Sequence, residues 1–211
     1  MKLKQLFAIA LLGSASLAQA ANLSFTGNFT YDNDVQRFNF TLTEAGKVTL
    51  RSWSYAGGVN AAGQTILRGG FDPILALFSA DGTRIAEQDD AGCSLVDPDA
   101  VTGSCWDVNR SADLLAGNYI VTIQQYSNFS LGDLSAGYTY DGVDNRNFRD
   151  GFVDENGDRR DSHWAFDILN VASAEIPPDE PGEVPEPASL GLLAAGTAGL
   201  AMARRRRKLQ A

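Results

Sequence analysis

Residues 73–86 read Pro-Ile-Leu-Ala-Leu-Phe-Ser-Ala-Asp-Gly-Thr-Arg-Ile-Ala, and this stretch indicates how the chain folds. Residues 73–79 are almost continuously apolar, which is typical of a strand buried on both faces. The Asp81-Gly82 dipeptide that follows is typical of a tight hairpin turn into residues 83–86. The stretch therefore predicts two antiparallel strands joined by a hairpin.

Short alternations of apolar and polar residues flank this hairpin in both directions, separated by Gly, Asn and Asp. The side chains expected on inward faces are Phe38, Phe40 and Leu42; Val48 and Leu50; Tyr119, Val121 and Ile123; and Trp164, Phe166 and Ile168. No helical period interrupts them, so the pattern predicts an all-β, antiparallel β-sandwich. The long, acidic, Gly-rich stretch at 127–161 is of a kind that is usually functional or mobile.

The N-terminus has the order of a secretory signal peptide. Lys2 and Lys4 precede an apolar run at 6–12, and Ala18-Gln19-Ala20 supplies the small residues that a signal peptidase reads. We therefore expect residues 1–20 to be removed and the rest of the chain to be exported. A single domain is expected at 21–174, followed by a Pro/Glu-rich linker at 175–184.

The C-terminus carries three consecutive features that together suggest a sorting signal. They are Val184, Pro185, Glu186 and Pro187; an apolar run of 16 residues at 188–203; and Arg204, Arg205, Arg206, Arg207 and Lys208. The prolines keep the tetrapeptide extended and open to an enzyme. The run would form a helix of roughly 24 Å, a marginal span for a hydrocarbon core of roughly 30 Å. The cations would stay on the cytoplasmic side.

This order resembles the PEP-CTERM sorting signal of Gram-negative bacteria at 185–211. The resemblance implies recognition by exosortase, a membrane cysteine transpeptidase-like enzyme that cuts at or near Pro-Glu-Pro. The protein would then be anchored in the membrane before processing and reach the cell surface or extracellular matrix afterwards. A plain C-terminal tail anchor is the alternative.

The charge of the expected exported part limits its partners. Between Ala21 and Val184 there are 10 basic and 25 acidic residues, a net charge of −15. Such a domain repels nucleic acid and anionic lipid, and it favours divalent cations or basic partners. Simple solubility is the alternative explanation of this charge.

The two cysteines, Cys93 and Cys105, both lie in the exported part. An oxidising periplasm favours a disulfide between them, which could contribute roughly 3 kcal/mol by a chain-entropy model. Zinc is a poor alternative, because the one histidine, His163, is distant in sequence.

Motifs of catalysis are largely missing from the sequence. There is no Gly-x-Ser-x-Gly elbow, no P-loop and no His-Glu-x-x-His, and only one histidine is present. Carboxylate pairs are abundant, but they are weak evidence for a glycosidase in so acidic a domain. We therefore predict that the protein is not an enzyme and has no catalytic residues.

Several segments carry a second resemblance, at 31–38, 71–78, 81–82, 89–90, 115–119 and 164–168. They resemble the DVUA0089-type family of PEP-CTERM proteins and are distantly similar to bacterial pre-peptidase C-terminal domains. The resemblance implies a jelly-roll-like sandwich and calcium ligands at Asp32, Asp34, Asp89 and Asp90. Solvated acidic turns are the alternative. The group Asp150, Asp154, Asn156 and Asp158 looks like an EF-hand loop but lacks its turn glycine and its final Glu.

Aromatic side chains near expected strand ends could stack on sugars. They are Trp53, Tyr55, Trp106, Tyr126, Phe129, Tyr138 and Tyr140. The PEP-CTERM resemblance also implies a link to exopolysaccharide, because exosortase sorting tends to accompany its production. We therefore expect a structural or adhesive surface protein linked to biofilm or exopolysaccharide. A calcium-dependent carbohydrate-binding module is the alternative.

Overall fold

A computed structural model describes residues 20–142 and 147–178 of the chain. Except for Ala20, the expected signal peptide lies outside these residues, as do most of the linker, the sorting motif and the Arg cluster. Among the residues described, no helix is long and apolar enough to cross a membrane. The expected apolar helix at 188–203 lies outside the described part.

The described chain is all-β, with antiparallel strands. In chain order, the strands are β1 (Ala21–Asn28), β2 (Val35–Leu42), β3 (Gly46–Ser52), β4 (Gly58–Val59), β5 (Thr65–Ile66), β6 (Pro73–Ser79), β7 (Arg84–Gln88), β8 (Asn109–Leu114), β9 (Gly117–Gln125), β10 (Phe152–Val153), β11 (Arg159–Arg160), β12 (His163–Val171) and β13 (Ser173–Glu175). One sheet has the order β1-β12-β3-β8 and the other β13-β2-β9-β6-β7. The pairs β4–β5 and β10–β11 form two small hairpins.

The two large sheets pack face to face, because alternate residues of their strands are apolar. Phe38 of β2 lies between rings of the opposite sheet, with its centroid 4.9 Å from that of Phe25 and 5.3 Å from that of Phe166. Val48, Leu50, Val121, Ile123 and Ile168 belong to the same buried cluster. The predicted antiparallel sandwich and its inward faces are confirmed, and the jelly-roll-like arrangement stays a prediction.

Strand β6 is buried on both faces, as its sequence predicts, because its outer face is covered as well. Ala76 and Phe78 pack there with Ile120 of β9, and Leu134 from the segment after β9 lies over them. The turn to β7 follows the predicted hairpin, with Gly82 at φ +86° in the left-handed region that favours glycine.

Pairing registers bring several chain segments to one end of the sandwich. Val35 pairs with Gln124, Pro73 with Gln125, and Leu75 with Gln88. Four strand termini therefore meet at the same end of the sandwich: the start of β2, the start of β6, the end of β7 and the end of β9. We call this end of the sandwich the loop end. The β10–β11 hairpin also lies there, and it forms inside the stretch expected to be a long loop.

The chain stays attached to the core beyond residue 174. Strand β13 extends to Glu175 and pairs with β2, and Ile176 is buried in the main apolar cluster.

Candidate functional site

A cleft of about 350 Å³ opens at the loop end. Its described lining includes four acids, Asp32, Asp72, Asp154 and Glu155; five aromatic residues, Trp106, Tyr126, Tyr140, Phe148 and Phe152; and two amides, Gln125 and Asn147. A concave surface that combines aromatic rings with polar groups is typical of a small-ligand site, and this volume lies near the lower end of the usual ~300–1,000 Å³.

The aromatic walls of the cleft are fixed from behind. The rings of Phe148 and Phe152 are stacked with centroids 4.4 Å apart, and Phe148 lies 5.6 Å from the core residue Phe71. Trp106 packs against the buried ring of Tyr55 at 4.9 Å. Phe148 is itself buried, so the half-buried rings of Phe152 and Trp106 present the apolar faces of these walls to a ligand.

Three carboxylates gather beside the cleft because the β6–β7 register joins the start of one strand to the end of the other. Asp72 precedes β6, Asp89 and Asp90 follow β7, and one oxygen from each lies within 4.8 Å of the others. Asp72 also lines the cleft. The Oδ1 atoms of Asp72 and Asp89 are shielded from solvent and have no hydrogen-bond partner in the described structure. We call these three residues the acid triad.

The environment of the triad disfavours its negative charge. Burial, followed by the charges of Asp90 and Asp89, raises the pKa of Asp72 to about 9. Burial and the charges of Asp89 and Asp107 raise the pKa of Asp90 to about 6. A bound cation would relieve this repulsion.

The four acids expected to bind calcium do not form one group. Asp89 and Asp90 belong to the triad, whereas Asp32 is buried and lines the cleft. Asp34 instead accepts backbone hydrogen bonds from Thr30 and Tyr31, at 2.6 and 3.0 Å, and so stabilises the turn before β2. Asp72 was not among the expected ligands, although its place immediately before β6 was visible in the sequence.

A buried ion-pair network lies behind the cleft. The Arg160 guanidinium donates from Nε to Asp154 Oδ2 at 2.8 Å, and its Nη1 lies 3.5 Å from Asp99 Oδ2. Arg68 donates to both oxygens of Asp99, at 2.6 and 2.9 Å, and also bonds Asp158. Asp154 Oδ1 accepts the N–H groups of Asn156 and Asp158. In this segment, which the sequence already showed to fail the EF-hand pattern, Asp154 and Asp158 therefore pair with arginines.

Cys93 and Cys105 form the predicted disulfide, with an S–S distance of 2.03 Å. The loop that they close presents Asp99 to the arginines and to the N–H groups of Val101 and Thr102. Burial opposes ionisation of Asp99, but the hydrogen bonds from Arg68 and this backbone hold its pKa well below the usual range. Trp106 follows Cys105 directly, so the disulfide and the ion pairs fix one wall of the cleft.

The remaining aromatic candidates have other roles. Trp53 lies under Arg51 and donates its indole N–H to the buried Asp167, and Tyr55 is fully buried. Tyr138 is buried and donates to Thr122, whereas Phe129 packs against Tyr126. Trp106, Tyr126 and Tyr140 do line the cleft. Phe148 and Phe152 were missed, because only the folded β10–β11 region brings them there.

His163 lies at the start of β12, apart from the cleft lining. Its Nδ1 is 2.5 Å from Asp161 Oδ1 and its Nε2 is 3.1 Å from the carbonyl oxygen of Leu67. These contacts attach the segment after β5 to β12.

One family model, described as the PEP-CTERM protein-sorting motif, matches residues 183–207. The match covers Val184, Pro185, Glu186 and Pro187, the apolar run, and Arg204 to Arg207, so the identification of the sorting signal is confirmed. Such a motif implies recognition by exosortase and export to the cell surface or extracellular space. No curated protein matches the chain.

Proposed function

We propose that this protein is a non-enzymatic surface or matrix protein that binds polysaccharide through the cleft at the loop end. Its sorting motif directs it to the place where exopolysaccharide is found, and an adhesive role in a biofilm matrix follows from binding there. The observation that supports this proposal is the aromatic lining of the cleft.

Sugar rings present apolar C–H faces and polar hydroxyl edges. The faces stack on aromatic rings, and the edges require hydrogen-bonding groups beside them. Trp106 and Tyr126 supply rings that are only partly buried. Gln125, only 8% exposed, lines the cleft with a carboxamide that has no hydrogen-bond partner among the described residues. The cleft thus combines both kinds of contact.

Affinity electrophoresis of the exported protein through gels containing the producing cell's exopolysaccharide tests this proposal. We expect retardation that Trp106→Ala and Tyr126→Ala each weaken by roughly five-fold, since one aromatic contact contributes about 1 kcal/mol. Leu115→Ala is the matched control, because Leu115 is 74% exposed and precedes β9 at the opposite end of the sandwich. If both aromatic variants migrate as the wild type does, the cleft is not where the protein binds polysaccharide.

A second candidate function is calcium-dependent carbohydrate binding, and the acid triad is the observation that favours it. Calcium takes six to eight oxygen ligands, usually including carboxylates. The unpartnered Oδ1 atoms of Asp72 and Asp89 are oxygens of this type. The resemblance to pre-peptidase C-terminal domains, which stays a prediction, points to the same ion through Asp89 and Asp90.

Thermal unfolding of the exported protein tests the calcium site. Calcium at a hundred times its Kd would stabilise the fold by about 2.7 kcal/mol. We expect millimolar calcium to raise the Tm more than magnesium does, and Asp89→Asn to remove most of the rise, whereas Glu44→Gln at the opposite end should keep it. If calcium, magnesium and sodium chloride of matched ionic strength raise the Tm equally, the ions only screen charge and there is no specific calcium site.

A further inference from the structure

We propose that the cleft selects glycans with free amino groups, whose ammonium binds the acid triad while the sugar ring lies on the aromatic walls. This inference rests on the polysaccharide binding proposed above and names its ligand class, a cationic amino sugar. It differs from the calcium-dependent alternative, because calcium and the ammonium would compete for the same carboxylates.

The geometry of the triad suits an ammonium group. A charge-assisted N–H···O bond is about 2.8 Å long, so a tetrahedral nitrogen holds its acceptor oxygens roughly 4.6 Å apart. The triad offers three carboxylate oxygens that all lie within 4.8 Å of one another. An –NH₃⁺ group has three donors, one for each of these oxygens.

The triad and the aromatic walls form one surface because Asp72 belongs to both. A ligand that places an ammonium on Asp72 has its attached ring beside the cleft residues Trp106 and Tyr126. Gln125 is nearly buried and its carboxamide has no partner among the residues that the structure describes, so it is available to a hydroxyl. An alkyl amine would contact the carboxylates alone, whereas an amino sugar would contact the carboxylates, the aromatic rings and the Gln125 carboxamide.

The described residues supply no cation that would take the place of the ligand. Neither Asp72 nor Glu155 makes an ion pair with an arginine or lysine of the described chain, and no such residue is in the described lining. Arg160 has a fully buried side chain held by Asp154, and Arg68 pairs with Asp99 and Asp158. The charge of Glu155 also raises the pKa of Tyr126, so this acid adds negative charge beside that ring.

This arrangement discriminates between glycans by charge. Uronic-acid polymers bring carboxylates towards carboxylates, which is repulsive. N-acetylated sugars keep the stacking ring but lose the ammonium, so they leave the triad unpaired. Glucosamine units satisfy both parts of the surface.

The test measures binding of the exported protein by calorimetry at pH 6, in chelator and at fixed ionic strength. At this pH the ligand-free protein holds a proton on Asp72, and pairing with the ammonium favours its release. The probes are chitosan oligosaccharides, N-acetylglucosamine oligosaccharides of equal length, oligogalacturonate and spermidine. We expect chitosan oligosaccharides to bind more than ten-fold more tightly than each of the other probes. Asp72→Asn should reduce this preference to less than three-fold, whereas Glu44→Gln should leave it unchanged. Circular dichroism confirms that each variant is folded.

The possible results separate this inference from the proposed function. Equal or tighter binding of the N-acetylated probe overturns the amine selectivity but keeps polysaccharide binding. Equal binding of spermidine, or a Glu44→Gln loss as large as that of Asp72→Asn, shows diffuse charge attraction and also overturns it. If added calcium tightens chitosan binding, the ammonium and calcium do not compete for the acid triad and the inference is overturned. If added calcium weakens chitosan binding, the inference is supported. If no glycan binds, both the inference and the proposed function fail.

Discussion

The guanidinium of Arg160 lies flat over the ring of Tyr55, with Cζ 3.6 Å from the ring centroid. Its Nη1 also donates to the carbonyl oxygen of Tyr55 at 3.0 Å. A single buried cation thus joins three parts of the chain: the segment after β3, the disulfide loop through Asp99, and the β10–β11 hairpin through Asp154. These parts support the wall and the base of the cleft.

Replacing Arg160 by methionine should therefore destabilise the protein strongly. The variant leaves Asp99 and Asp154 buried with fewer partners, and loss of one member of a buried ion pair typically costs about 3–5 kcal/mol. Arg160→Lys should not restore stability, because an ammonium cannot match the planar contacts of the guanidinium. Urea unfolding measures both effects. Arg159→Met is the matched control, since Arg159 is exposed; a similar loss in the control would contradict the role given to Arg160.

Removing the disulfide should lower both stability and ligand affinity. Replacing Cys93 and Cys105 together by serine frees a loop with a sequence separation of 12, which by chain entropy alone costs roughly 3 kcal/mol. Because Trp106 follows Cys105 directly, we also expect its fluorescence to change and glycan retardation to weaken. The control is the unreduced wild type carried through the same purification. Unchanged retardation with lowered stability would show that the loop stabilises the fold without shaping the cleft.

The β-sandwich could be predicted because the residues that indicate each strand are close together in the sequence. Phe38 and Phe40 alternate with polar residues, and the run at 73–79 is long enough to indicate burial on both faces. The disulfide followed from the presence of only two cysteines in an exported chain. The acid triad could not be found in this way, because Asp72 meets Asp89 and Asp90 only through the β6–β7 register. Arg160 sits in an Arg-Arg-Asp run that gives no sign of burial.

The sorting motif predicts a specific processing event. In cells that contain exosortase, intact mass of the surface protein should lack Arg204 to Lys208, because cleavage at or near Pro-Glu-Pro removes the tail. Replacing Pro185, Glu186 and Pro187 by alanine should leave the full tail and keep the protein in the membrane fraction. A change upstream of the matched residues, Glu180→Ala, serves as the control. Recovery of wild-type surface protein with its Arg cluster intact would instead indicate a permanent tail anchor.

Asp72 should cost the ligand-free protein stability as the pH rises. Its pKa is about 9 in the folded protein, mainly through burial, against about 3.9 in an unfolded chain. Below about pH 4 both the folded and the unfolded protein hold the proton, so Asp72 does not lower the free energy of unfolding. Between about pH 4 and 9 only the unfolded protein releases it, so the free energy of unfolding falls with rising pH and the loss is complete near pH 9. Asparagine cannot ionise, so in chelator Asp72→Asn should leave stability at pH 4 unchanged and raise it at pH 8 by at least about 1 kcal/mol. Urea unfolding at both pH values measures this, with Asp97→Asn in the exposed part of the disulfide loop as the control. If the gain in stability is equal at the two pH values, or equal in the two variants, the pH-dependent loss of stability does not come from Asp72.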